Sequence, residues 1–137
     1  MGFPTPEDAV KALNAAYVSR DVEAAASAKD FEEEARLMLR NINPDFASDS
    51  ELLAETARVL ELAFRAQLRD SGFPDFESVQ SRFLSRCDLT PTLVELTEEC
   101  MFADGARSLE KVHAFLGPTG WRVIIVPADL KASTERR

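Results

Sequence analysis

Apolar residues recur at helical spacing through the first half of the chain and predict four helices. Thr5 can cap the first helix and Pro6 is tolerated in its first turn, and the apolar stripe then includes Val10, Leu13 and Tyr17. Asp21 can cap a second, short alanine-rich helix over residues 22–29. The first thirty residues therefore predict two helices in succession.

The third and fourth predicted helices form a long acidic segment. A third apolar stripe runs from Phe31 to Ile42. Ser48 followed by Glu51 three residues later matches a capping box, which predicts a fourth helix that reaches about Asp70. The run Glu32-Glu33-Glu34 is interpreted as a solvated face of the third helix.

After Pro74 the pattern changes to the two-residue period of strands. The segments 79–87, 93–102, 106–116 and 121–126 predict four strands, with Asp104-Gly105 as a hairpin signal between the second and third. Helices followed by an antiparallel meander predict a single α+β domain over residues 1–137, with the helices on one face of a curved sheet. Residues 128–137 are interpreted as a polar tail.

The hairpin also predicts which strand residues face each other. If Asp104-Gly105 is a two-residue loop, Glu98 lies opposite Lys111 and Leu96 opposite His113. A three-residue bulged loop would shift this register by one residue. The next turn places His113 opposite Ile124 and Phe115 opposite Arg122. Both faces of the sheet are substantially apolar, so one is expected to meet the helices and the other a second subunit or partner.

The charge balance excludes some partners and favours others. The chain has 137 residues, with 16 Lys and Arg against 24 Asp and Glu, and a net charge of −8. Neither nucleic acid nor an anionic membrane surface is an expected partner for so acidic a chain. Residues 1–70 carry 14 acidic and 8 basic residues. The outer helices therefore form a candidate recognition surface for a basic protein.

The cysteines and glycines argue against several kinds of chemistry. Two cysteines are too few for a disulfide framework, which favours a cytoplasmic location, and one histidine gives no metal-site spacing. No phosphate loop or dinucleotide fingerprint is present, so no cofactor is expected. Cys100 and Cys87 are interpreted as small core residues.

General acid/base catalysis is the more credible enzymatic chemistry. The two-residue loop would place Glu98, Lys111 and His113 on one face of the sheet, and burial there could raise the pKa of a carboxyl group. The catalytic candidates are therefore Glu98, His113 and Tyr17. The structural interpretation is preferred for each: an ordinary cross-strand ion pair for Glu98 with Lys111, a satisfied or exposed side chain for His113, and a core residue for Tyr17. The predicted pocket consists of Tyr17, Leu96, Glu98, Lys111, His113 and Phe115.

A second group of strand residues could form an interface. Trp121 follows a turn glycine and is a residue type enriched at binding hot spots. It shares one predicted face of the last strand with Val123 and Ile125. These three residues are the candidates for a homodimer contact through the sheet.

Several motifs together resemble the nuclear transport factor 2-like superfamily. They are Thr5-Pro6-Glu7 leading into a helix with Tyr17, then Arg20-Asp21-Val22-Glu23-Ala24, Lys29-Asp30-Phe31 and the final strand Gly120-Trp121-Arg122-Val123. The resemblance implies a cystatin-like α+β cone, with a cavity between the curved sheet and the first helix. The acidic helical segment from Phe31 to Asp70 is reminiscent of the bacterial immunity proteins of that superfamily.

Two classes of function follow from the resemblance. The first is a non-enzymatic binding protein, with an immunity protein that neutralises a toxin as one form of it. The second is an isomerase, cyclase or dehydratase that acts on a small apolar ligand in the cone. The isomerase branch uses a tyrosine of the first helix, but Leu13 holds the matching position here and Tyr17 lies one turn further on. The binding protein is therefore preferred.

Overall fold

Helices occupy the first half of the chain and a sheet occupies the second half. The structure, a computed structural model, describes residues 2–76 and 78–126. The elements are α1 (Pro6–Ser19), α2 (Val22–Ser27), α3 (Phe31–Ile42), a 3₁₀ helix (Pro44–Ser48), α4 (Ser50–Asp70), β1 (Gln80–Thr90), β2 (Leu93–Met101), β3 (Arg107–Gly117) and β4 (Gly120–Ile124). The strands form one antiparallel sheet in the order β1-β2-β3-β4, which confirms the α+β class. The predicted polar tail, 128–137, lies outside the described residues.

Side-chain caps fix the helix starts. Thr5 Oγ1 accepts a hydrogen bond from the Asp8 amide at 3.0 Å, and Asp21 Oδ1 accepts one from the Ala24 amide at 3.0 Å. Each cap satisfies an amide that has no partner within its helix. The predicted starts of α1 and α2 are therefore confirmed.

The predicted cap of the fourth helix is wrong by one residue. Ser48 is the last residue of the 3₁₀ helix, which begins after Asn43. Asp49 caps α4 instead, since its Oδ1 accepts hydrogen bonds from the amides of Glu51 and Leu52, each at 3.1 Å. Ser48 belongs to the 3₁₀ helix that begins at Pro44, so the cap of α4 lies one residue later, at Asp49.

The hairpin between β2 and β3 has the three-residue loop. The Phe102 amide donates to the Ala106 carbonyl at 2.9 Å, and Gly105 lies between them in the left-handed region at φ 88°. Glu98 therefore lies opposite Glu110, and Leu96 lies opposite Val112. The predicted pairings of Glu98 with Lys111 and of Leu96 with His113 are wrong. The pairings of His113 with Ile124 and of Phe115 with Arg122 are confirmed.

The two faces of the sheet have different surroundings. On one, called the α1 face here, Val94 and Leu96 of β2 pack with Val10 and Leu13 of α1 in the main hydrophobic core. The other, called the opposite face, carries a smaller cluster of Leu37, Ile124 and Val126, with Leu93 and Phe115 packed against it. Helices therefore contact both faces, because Leu37 belongs to α3.

The start of the chain closes the β4 edge of the sheet. The Phe3 amide donates to the Trp121 carbonyl at 2.9 Å, and the Trp121 amide donates to the Phe3 carbonyl at 2.8 Å. Gly120 permits this approach, since a Cβ at Gly120 would lie 2.9 Å from backbone atoms of Gly2 and Phe3. In the described part of the chain, no helix combines the length and apolar character that crossing a membrane requires.

Candidate functional site

The shifted register separates the residues that were predicted to form a catalytic cluster. Glu98 lies on the α1 face, where its side chain meets Asn14 of α1. Lys111 and His113 lie on the opposite face, where both contact Glu95. A two-residue period assigns neighbouring strand positions to opposite faces, so a shift of one residue is enough to divide the set.

The remaining predicted pocket residues are divided in the same way. Leu96 is fully buried in the main core, and Tyr17 packs against that core. Phe115 belongs to the cluster on the opposite face. The six predicted pocket residues therefore occupy two places separated by the sheet.

Neutral hydrogen-bond donors surround the Glu98 carboxylate. The side chain of Glu98 is buried, and its Oε2 accepts from Asn14 Nδ2 at 2.8 Å and from Ser81 Oγ. Sequence reasoning missed both donors. Asn14 carried a signal, because it lies four residues after Val10 and three before Tyr17, on the apolar stripe of α1.

An ion-pair network covers the centre of the opposite face. Glu95 lies 3.2 Å from Lys111 Nζ and 3.2 Å from His113 Nε2. Glu99, four residues further along β2, pairs with Arg82 Nε at 2.7 Å. Glu95, Glu99 and His113 are all buried. In each of these pairs an acidic side chain of β2 contacts a basic side chain of β1 or β3, which is ordinary cross-strand pairing.

Two of the three residues of the predicted acidic run are buried. Glu32 is exposed, but Glu33 and Glu34 are 7% and 8% exposed, so the interpretation of the run as a solvated face is wrong for both. Glu34 Oε2 lies 2.6 Å from Lys29 Nζ, inside the fold, and accepts a hydrogen bond from the Ile125 amide at 2.9 Å. Glu33 pairs with Arg36.

Lys29 is held by aromatic rings as well as by Glu34. Its Nζ lies 5.2 Å from the ring centroid of Phe64 and 5.6 Å from that of Phe31. The backbone beside it is fixed too, since the Asp30 amide donates to the Val123 carbonyl at 3.0 Å. The ion pair therefore connects the start of α3 with the end of the sheet.

Tyr17 packs between two aromatic side chains of the segment that joins α4 to β1. Its ring centroid lies 6.4 Å from that of Phe73 and 5.8 Å from that of Phe76. Burial raises the pKa of the Tyr17 phenol above its ordinary value, and the negative charge of Glu34 raises it further. Tyr17 therefore keeps its proton to higher pH in the folded protein than in the unfolded chain.

This pKa shift predicts a loss of stability at high pH. The unfolded phenol ionises near pH ~10, whereas the folded one ionises higher, so stability is fully present below pH ~10 and falls as pH rises towards the folded pKa. Tyr17 is the chain's one tyrosine, so absorbance titration of tyrosinate reports it alone. We expect Tyr17→Phe to remove this alkaline component, and a native Tyr17 that titrates at the unfolded value would contradict the assignment.

The two cysteines have different environments. Cys100 is buried, as predicted, and lies on the α1 face, whereas Cys87 on β1 is exposed, so the interpretation of Cys87 as a core residue is wrong. Burial raises the pKa of the Cys100 thiol, and the charges of Glu98 and Glu110 raise it further. β1 lies at an edge of the sheet, and most of its residues are exposed on both faces.

These environments predict unequal thiol reactivity. At neutral pH we expect a disulfide reagent such as dithionitrobenzoate to modify Cys87 rapidly and Cys100 only after unfolding, because thiolates react and buried thiols are inert. Absorbance of the released thionitrobenzoate counts the modified thiols. Cys87→Ser should abolish the fast phase, and a fast phase that survives this substitution would contradict the burial of Cys100.

The three candidate interface residues differ in exposure. Trp121 packs against the main core, and Val123 is buried within it. Ile125, just after β4, is 65% exposed. Of the three, Ile125 offers the most surface for contact with another molecule.

The C-terminal end of α3, the 3₁₀ helix and the N-terminal half of α4 expose apolar and acidic side chains together. Met38 and Ile42 lie one turn apart on α3 and, with Phe46, are 41%, 68% and 39% exposed. The same stretch of chain carries four exposed acids, namely Asp45, Asp49, Glu51 and Glu55. Residues 38–55 contain one base, Arg40, which is exposed. We call this surface, residues 38–55, the acidic helix end.

Comparisons with known proteins do not assign the chain to a family. No protein-family model matches the sequence, and a search of curated proteins finds no match. Among solved structures, the chain is similar to a Campylobacter jejuni protein described as "Putative NTF2-like transpeptidase". The TM-score is 0.46 at 14% sequence identity, covering 88% of this chain and 98% of that one.

Proposed function

We propose that this chain is a non-enzymatic binding protein whose recognition surface is the acidic helix end and whose partner is a basic protein. The observation that carries the proposal is the exposure of Ile42 and Phe46 on a surface with four exposed acids and one base, Arg40. Exposed apolar side chains with a polar surround are typical of protein interaction sites. The expected partner presents an apolar pocket surrounded by Lys and Arg.

Each component of this surface has a different physical role. The acids attract a basic partner over long distances and raise the association rate, an effect that salt weakens. The apolar side chains supply affinity by leaving water when the complex forms. Ile42 and Phe46 are therefore expected to control dissociation, and Asp45, Glu51 and Glu55 to control association.

The interior of the fold supports binding over catalysis. Leu96 fills the space against α1, and Glu98 already accepts hydrogen bonds from Asn14 and Ser81. Acid/base catalysis needs a second ionisable group in reach of the same substrate. Of the predicted partners of Glu98, Lys111 and His113 lie on the opposite face of the sheet. Tyr17 packs between Phe73 and Phe76.

The sequence resemblance allows a finer form of the proposal. The chain would act as an immunity protein in the cytoplasm of a bacterium, and its partner would be a toxin with a basic surface. Homodimer formation through the sheet is a separate proposal, with Ile125 as its exposed anchor. The two surfaces differ, so a dimer could still bind a partner through the acidic helix end.

The proposal is tested by comparing what two variants capture from the protein's own cells. The wild type should retain a basic protein at low salt and release it at high salt, and Ile42→Ser with Phe46→Ser should lose that protein. The matched control is Leu109→Ser, which changes an exposed apolar residue of β3 at 63% exposure. Equal capture by the wild type and the double variant, or capture of self alone, would overturn the proposal.

One observation favours a second candidate function. Glu98 is a buried carboxylate on the α1 face, where an acid/base enzyme of this architecture would bind a small apolar ligand. That enzyme would be an isomerase, cyclase or dehydratase. Loss of turnover of a cyclic ketone or polyketide in a folded Glu98→Gln variant would favour this candidate over the binding protein.

A further inference from the structure

Two adjoining clefts open beside the N-terminal end of α3, and Arg122 of β4 lines both. The first, of about 650 Å³, lies between the start of α3 and one side of α4. The second, of about 550 Å³, lies between α3 and the turn that joins β3 to β4. Both volumes are in the range of small-molecule sites. The first cleft shares Ser50, Leu53 and Ala54 of α4 with the acidic helix end that we propose for protein binding, whereas Arg122 lies outside that surface.

Arg122 has an unsatisfied donor at the boundary between the clefts. Its Nε is buried and has no hydrogen-bond acceptor among the described residues. The other guanidinium groups that line the clefts include those of Arg36, which pairs with Glu33, and Arg65, which pairs with Glu23. Buried N–H groups nearly always have a partner, so an unsatisfied one is costly. An incoming acceptor would remove that cost.

The geometry of the guanidinium favours a carboxylate as that acceptor. Arginine presents parallel N–H groups that match the two oxygens of a carboxylate. Arg122 lines both clefts, so a ligand in either cleft can approach its side chain. One arginine side chain could therefore hold both oxygens of a single carboxylate.

The other residues of the clefts restrict the ligand further. The first cleft has one more basic than acidic side chain, a balance that one negative charge completes and a dianion such as phosphate exceeds. The basic residues are Lys29, Arg58, Arg65 and Arg122, and the acidic ones are Asp30, Glu32 and Glu61. Phe31, Leu53 and Ala57 give the first cleft an apolar wall. These surroundings favour one negative charge attached to an apolar chain.

We propose that these clefts bind a small monocarboxylate with an apolar chain, whose carboxylate pairs with Arg122 while the chain lies along α4 in the first cleft. The anchor of this site, Arg122, lies outside the acidic helix end, so loss of hexanoate binding in an Arg122 variant does not depend on the proposed protein-binding function. It is also separate from the α1 face, where the second candidate function would place its substrate.

The test uses hexanoate as the probe and two-dimensional ¹H–¹⁵N spectra of the protein as the readout. We expect hexanoate to shift the Nε–H resonance of Arg122 and the amide resonances of Phe31 and Ala57 in a saturable way. Hexanamide, which matches its shape without the charge, and phosphate should leave these resonances unchanged. Shifts caused equally by hexanamide or by phosphate, or no shift with hexanoate, would overturn the proposal.

Two substitutions separate recognition from nonspecific attraction. Arg122→Gln should weaken hexanoate binding by at least about tenfold, since it removes the charged donor. Ala54→Trp should also weaken hexanoate binding, because the larger side chain would occupy part of the first cleft. Ala54 of α4 lines that cleft and is exposed, so it can be enlarged without disturbing the core. The matched control, Arg40→Gln, changes an exposed arginine of α3 outside the clefts and should bind as the wild type does. Wild-type affinity in either cleft variant would contradict the site.

Discussion

We expect Lys29→Met to lower the free energy of unfolding by about 3–5 kcal/mol, the range for removing one partner of a buried ion pair. The side chains of Lys29 and Glu34 are 3% and 9% exposed, and their charged atoms lie 2.6 Å apart. Removing the ammonium leaves the Glu34 carboxylate in the interior with the Ile125 amide as its remaining donor in the described structure. Urea unfolding followed by tryptophan fluorescence or circular dichroism measures the change.

The double variant distinguishes a stranded charge from simple loss of packing. Lys29→Met combined with Glu34→Gln leaves no buried charge, and the glutamine oxygen can still accept from Ile125. We therefore expect the double variant to be more stable than Lys29→Met alone. The control Arg86→Met removes a partner of an exposed pair with Asp88 and should unfold at nearly the wild-type urea concentration. A double variant less stable than Lys29→Met alone would contradict a charge penalty.

The second large effect is expected from Leu96→Ala, which should lower the free energy of unfolding by about 3–5 kcal/mol. Leu96 is 0% exposed and lies between β2 and α1, where the superfamily resemblance implies a cavity. If this space is filled by the protein's own side chains, truncation leaves a hole that the surroundings cannot close. If it were an open ligand cavity, Leu96 would already lack neighbours and its truncation would cost much less.

A matched truncation on the same sheet completes this comparison. Leu109 of β3 is 63% exposed, and Leu109→Ala should change the free energy of unfolding by less than about 0.5 kcal/mol. The same urea experiment measures both variants. A similar small loss for Leu96→Ala would contradict a filled core and would favour the second candidate function.

The sequence predicted the helices well because their signals are local. Thr5 and Asp21 cap helices through amides three residues away, so their effect needs no knowledge of the rest of the fold. The hairpin was harder, because Asp104-Gly105 is compatible with both a two-residue and a three-residue loop. The structure has the longer loop, and that single residue changes the faces on which Glu98 and His113 meet their partners.

The candidate site was less predictable because its contacts are long-range. Glu34 meets the Ile125 amide across 91 positions of sequence, and Glu98 meets Asn14 across 84. Nothing near Glu34 in the sequence distinguishes it from the exposed Glu32 two positions earlier. The acidity of the helical half was visible in the sequence, but the exposure of Ile42 and Phe46 among those acids depends on how α3 and α4 pack.

The central claim is that the acidic helix end is where a basic partner binds. Hydrogen–deuterium exchange of the chain, alone and with the captured partner, tests it most directly, because exchange slows where a partner covers the surface. We expect slower exchange across residues 38–55. Exchange in β1, which is not part of that surface, should be unchanged. Protection confined to the sheet, with residues 38–55 unchanged, would contradict the claim.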